Sequence, residues 1–60
     1  MDGASFRRLR LELGLSQTVL GQRMGRSRQY IWQMEQHPEP DEIAVLALKR
    51  IADEIRSVAA

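Results

Sequence analysis

The chain has 60 residues, 43% hydrophobic and 28% charged, with no cysteine and one histidine, His37. A body this small buries only about 60% of the surface its unfolded chain exposes, and its composition excludes disulfides, cysteine-bound zinc and histidine metal clusters as staples. The net charge of +1 divides unevenly: residues 1–36 carry six arginines against three acidic residues, a net of +3, and residues 37–60 carry three basic against five acidic residues, a net of −2.

Four helices are predicted in one domain covering residues 1–60, with no strand, because no stretch alternates with period two. The first covers about residues 3–13, with Phe6, Leu9 and Leu13 on one face and Gly14 as its stop. The second covers 16–24, capped by Ser16, with Leu20 and Met24 inward and Gly25 supplying a tight turn. The third covers 27–36, capped by Ser27, with Ile31 and Met34 as its buried pair. The segment His37-Pro38-Glu39-Pro40 cannot continue a helix. A long fourth helix is expected over 40–58, with Pro40 in the first helical position and Asp41 and Glu42 at the positive end of the dipole.

On a helical wheel the fourth helix carries one apolar stripe of Ile43, Leu46, Ala47 and Ile51. Ala44, Val45, Leu48, Ala52 and Ile55 cover the neighbouring sides. A helix apolar over most of its circumference is buried on most sides, and three other helices cover only one. Val45, Leu48, Ala52 and Ile55 are therefore expected to meet a second copy. Such pairing would also supply the staple that small chains need, which an idealised helical core could equally provide.

The second and third helices, joined at Gly25, have the layout of a helix-turn-helix, a device that sets one helix in the major groove of DNA. Opposite Ile31 and Met34, the third helix presents Arg28, Gln29, Trp32, Gln33 and Gln36 in place of the usual Glu/Lys mixture. Glutamine pairs bidentately with adenine and arginine with guanine, so Arg28, Gln29, Trp32 and Gln33 are the expected base contacts. For Trp32 several placements are open: on thymine methyls or a sugar edge, under an arginine, or flat against protein. Gln17, Arg23, Arg26, Ser27 and Tyr30 are the expected contacts to the DNA backbone. Arg7 and Arg8 either reach that backbone or only solubilise the first helix.

With Leu15-Ser16-Gln17, Leu20, Gly25, Ser27, Ile31 and Glu35 in place, the chain resembles the Cro/C1-type, lambda-repressor-like helix-turn-helix domain of small bacterial and phage regulators. The resemblance implies an all-α, compact four-helix fold whose fourth helix contributes to a dimer. It implies a homodimeric repressor on an inverted-repeat operator. It also implies a buried ion pair between Arg10 and Glu35. Among such proteins are phage-type, anti-CRISPR-associated autorepressors, whose last helix has a similar Ala/Leu-rich look. The chain departs from the family at Gly21, Arg26, Met34 and His37, where alanine, an aliphatic residue, tryptophan and glycine are usual. Glycine lowers helix propensity by ~1 kcal/mol relative to alanine, so Gly21→Ala is expected to stabilise.

The expected partners are double-stranded DNA and a second copy, with no cofactor, small-molecule ligand, metal or membrane. No apolar run approaches the ~20 residues of a membrane span. Met1-Asp2-Gly3-Ala4 lacks the regions of a signal peptide, so a cytoplasmic protein is expected. No nucleophile–base pair or phosphate loop is present, so an enzyme is not expected. The alternative is a protein-interaction module, such as an antitoxin binding a toxin through its apolar fourth helix.

Overall fold

Each helix begins where a side-chain oxygen accepts an otherwise unpaired backbone N–H. The computed structural model describes residues 1–59, and the regular elements among them are four α-helices with no strand. Helix α1 spans Gly3–Glu12, and Asp2 Oδ1 accepts from the Ser5 N–H at 2.7 Å. That bond holds the Asp2 carboxyl below its ordinary range. Helix α2 spans Gln17–Met24, where Ser16 Oγ accepts from Val19 at 3.0 Å. Helix α3 spans Arg28–Gln36, where Ser27 Oγ accepts from Tyr30 at 3.1 Å. Helix α4 spans Glu42–Ala59 and is capped by Asp41, whose Oδ1 accepts from the Ile43 N–H at 3.1 Å. Thus α4 starts two residues later than its proline suggests. Pro40 is buried ahead of the helix, and Asp41 takes the capping position.

The first two helices close in the same way. Leu15 N–H donates to the Arg10 carbonyl at 3.2 Å and Gly14 N–H to Leu11 at 3.0 Å; Arg26 N–H donates to Gly21 at 2.7 Å and Gly25 N–H to Gln22 at 3.3 Å. These are the paired bonds of a Schellman motif. Gly25 sits at φ 69°, a left-handed conformation that glycine adopts without a Cβ penalty.

All four helices meet in one core. Phe6 from α1, Leu20 from α2 and Ile31 from α3 are fully buried against Ala44, Leu48 and Ile51 of α4. Leu9, Leu13, Leu15, Met24, Tyr30, Met34, Val45 and Ile55 pack around them. Burying each large apolar side chain contributes about 1.5–3 kcal/mol.

The rotation of α4 corrects the wheel. Leu48 is 0% exposed and Ala52 2%, so both belong to the interior of a single chain and cannot line an interface between copies. Val45 and Ile55 are half-buried against the same core. Ile43 and Leu46, assigned inward by the wheel, are 69% and 57% exposed. The inward face is set by the space that Phe6, Leu20 and Ile31 leave. Amphipathicity could not choose it, because apolar residues surround most of this helix.

Gly21 also overturns an expectation. A Cβ at this position would stand 2.7 Å from the Arg26 carbonyl oxygen and 3.1 Å from that of Ser27. Both are backbone atoms of the turn that joins α2 to α3, so the turn would have to move. Overpacking of this kind costs about 1–3 kcal/mol, which outweighs a propensity gain of at most ~1 kcal/mol. Gly21→Ala is expected to lower the melting temperature, by roughly 4–8 °C per kcal/mol in a domain of this size. A melt followed by helical circular dichroism checks it; an unchanged or raised midpoint contradicts the steric argument.

Candidate nucleic-acid interface

Three contacts fix α3 against the rest of the chain and leave one of its faces in solvent. Its start is held by the closed turn at Gly25 and the Ser27 cap. Its middle is anchored by Ile31 in the core. Its last turn is held by Glu35, whose side chain is 1% exposed.

Glu35 is a junction between helices. Arg10 Nε donates to Glu35 Oε2 at 2.6 Å and Arg10 Nη2 to Oε1 at 3.3 Å. The remaining Arg10 nitrogen, Nη1, donates to the Leu15 carbonyl at 2.8 Å, in the loop between α1 and α2. Gln17 Nε2 donates to Glu35 Oε1 at 3.2 Å. Arg7 Nε lies 3.9 Å from that same oxygen. One carboxylate thus joins α1, the following loop, the first residue of α2 and the end of α3. Among the described residues no buried side-chain nitrogen or oxygen lacks a partner.

The solvent face of α3 consists of Arg28, Gln29, Trp32, Gln33 and Gln36, all exposed. Gln17 joins Arg28, Gln29 and Trp32 as the lining of an open cleft of about 490 Å³. The bond to Glu35 uses one of the two Gln17 amide hydrogens and leaves the other free to donate outward. At the leading end of α3 the Arg26 guanidinium lies over the Tyr30 ring, 4.7 Å from its centroid, a cation–π contact worth about 0.5–1 kcal/mol at an exposed site. Trp32 has no such arginine; among the described residues Arg26 over Tyr30 is the stack that forms.

Two residues are placed otherwise than the sequence led us to expect. Arg23 is exposed and lines, with Glu54, Ile55 and Val58 of α4, a second groove of about 400 Å³, separate from the residues that line the cleft. Arg7, for which the sequence leaves DNA and solvent both open, reaches the Glu35 carboxylate. The signal was its i, i+3 spacing from Arg10, which puts both on one face of α1.

A family model described as a helix-turn-helix domain matches residues 3–51, from the start of α1 to Ile51 in α4. No curated protein and no solved structure shows a significant match.

The junction makes a direct stability prediction. Removing one member of a buried ion pair leaves an unpaired charge and costs about 3–5 kcal/mol, whereas replacing both with apolar residues is often neutral. Arg10→Met and Glu35→Leu are each expected to lower the urea midpoint severely, and the double variant to recover most of the loss. A double variant as unstable as the two single losses combined would show that the two charges are not coupled.

Proposed function

The chain belongs to the helix-turn-helix domain family, a DNA-binding fold, and we propose that it is a sequence-specific transcriptional regulator that lays α3 in the major groove. The cleft of Gln17, Arg28, Gln29 and Trp32 is the observation that supports this most. Its lining combines one guanidinium, two amides and one aromatic, with no carboxylate to repel phosphate. From Leu13 to Met34 the sequence has three arginines and no acidic residue.

Arg28, Gln29, Trp32 and Gln33 meet base edges in this reading, the N-terminal ones reaching deepest. Gln17 keeps one amide hydrogen for a phosphate, and the Ser27 hydroxyl, which accepts from Tyr30, keeps its own proton to donate. Arg26 and Tyr30 flank the backbone as a stacked pair. Arg28→Ala or Gln29→Ala is expected to relax preference at one base pair by about 1–3 kcal/mol while non-specific binding persists. Binding measured by fluorescence anisotropy on duplexes selected from a random pool, across a salt series, checks this. Equal affinity for selected and scrambled duplexes at moderate salt sinks the reading.

The regulator acts as a pair on an inverted repeat and represses its own promoter, as small phage-type, anti-CRISPR-associated regulators do. The half-sites of such a repeat lie one DNA turn apart, ~34 Å. With Leu48 and Ala52 interior, the pairing surface is the exposed pair Ile43 and Leu46 on α4. Stable interfaces bury about 800 Å² per partner, far more than two side chains offer. The protein is therefore expected to have the mass of one chain at micromolar concentration and to bind an inverted repeat as two copies. Light scattering on the free protein and titration of the repeat test this, and a single copy on the repeat at saturation contradicts it. The second reading is a protein partner such as a toxin, met by the same exposed Ile43 and Leu46.

A further inference from the structure

The single tryptophan is the one aromatic residue that the fold leaves largely in solvent. Trp32 is 51% exposed, whereas Phe6 is fully buried and Tyr30 packs against the core. It forms the one apolar wall of a cleft otherwise lined by Gln17, Arg28 and Gln29. Such a cleft complements a surface that presents hydrogen-bonding groups beside a single apolar projection. The major-groove edge of DNA has donors and acceptors at every base pair. Its only apolar group is the C5-methyl of thymine.

Building on the reading that α3 enters the major groove, we infer that Trp32 selects a pyrimidine C5-methyl group. The recognised sequence then holds a thymine at that position, and 5-methylcytosine presents the same group there. Arg28 and Trp32 are four residues apart on one helix, so their Cβ atoms lie about 5–6 Å from each other. Base pairs follow every ~3.4 Å. The methyl-bearing pyrimidine therefore lies one or two steps from the base that Arg28 reads, a guanine by its bidentate geometry. Gln29 and Gln33, beside Trp32 on the exposed face, read neighbouring pairs and set the rest of the sequence.

Covering one methyl group is worth roughly a fourfold change in affinity. The test replaces each thymine, in turn, by deoxyuridine in duplexes that the wild-type chain selects from a random pool. This removes only the methyl and leaves pairing intact. One position per half-site is expected to lose about fourfold in wild-type binding on that replacement. At the same position 5-methylcytosine is expected to bind more tightly than cytosine. Trp32→Ala is expected to bind the thymine and deoxyuridine duplexes equally and to keep its purine preference next to them. Trp32 lies outside the core cluster, and an unchanged helical circular dichroism spectrum verifies that the variant is folded. A deoxyuridine effect at no position, or one that survives in Trp32→Ala, overturns the assignment while leaving DNA recognition standing. A pool that never converges overturns the DNA reading and this inference with it.

Discussion

The buried pair of Arg10 and Glu35 ties α1 and the loop after it to the end of α3. Removing two charges from water costs several kcal/mol per ion, and attraction repays it only when the remaining donors and acceptors are also satisfied. Here they are satisfied by a fork of two bonds between the side chains, the Leu15 carbonyl on the third arginine nitrogen, and the Gln17 amide on the carboxylate. The partners come from α1, the loop after it, α2 and α3. No shift of one helix leaves all of these bonds intact. The pair also changes the surface electrostatics. Glu35 is the acidic residue nearest the outward face of α3, and its charge is neutralised inside the body. Arginines are then the only charged residues on the exposed part of α2 and α3.

Close backbone approach complements that constraint. Gly21 admits the Arg26 carbonyl where any Cβ would stand at 2.7 Å, and the Schellman bonds close the turn over it. The start of α3 is thereby held by backbone and its end by a buried ion pair. Between these two fixed points Arg28, Gln29, Trp32 and Gln33 project from a helix that has little freedom to move. A rigid presenting element has less conformational entropy to lose on binding, which matters if, as proposed, so few residues form the reading surface.

The sequence made the local features legible and left the tertiary ones hidden. Ser16, Ser27 and Gly25 mark helix ends because capping and left-handed turns are short-range chemistry. The outward face of α3 followed from Ile31 and Met34 because that helix has few apolar positions to choose among. The rotation of α4 did not follow, because apolar residues surround it and periodicity cannot select one face. Its true inward residues, Leu48 and Ala52, were assigned to a partner for that reason. Propensity misleads at Gly21 because it concerns a helix alone, while the Arg26 carbonyl that faces this residue arrives through the turn. The Gln17–Glu35 bond joins residues 18 apart in sequence and the Arg10–Glu35 bond residues 25 apart; spacing along one helix says nothing about either. Family resemblance indicated the second pair and was silent on the first.

The corrected rotation of α4 separates folding from association. With Leu48 and Ala52 inside, the core is closed by one chain, and a second copy is not required to shield it. On the proposed reading, pairing through Ile43 and Leu46 is then free to be weak. Two copies on adjacent half-sites experience effective concentrations of order millimolar, set by the spacing of the sites. A contact too weak to join free chains at micromolar concentration is strong enough under those conditions. The inverted repeat would then select the pair, because only correctly spaced half-sites bring the two α4 patches together. On the proposed reading, discrimination lies partly in bases read by α3 and partly in the distance between them. A small apolar patch serves that purpose better than a large one, which would hold the copies together on any DNA.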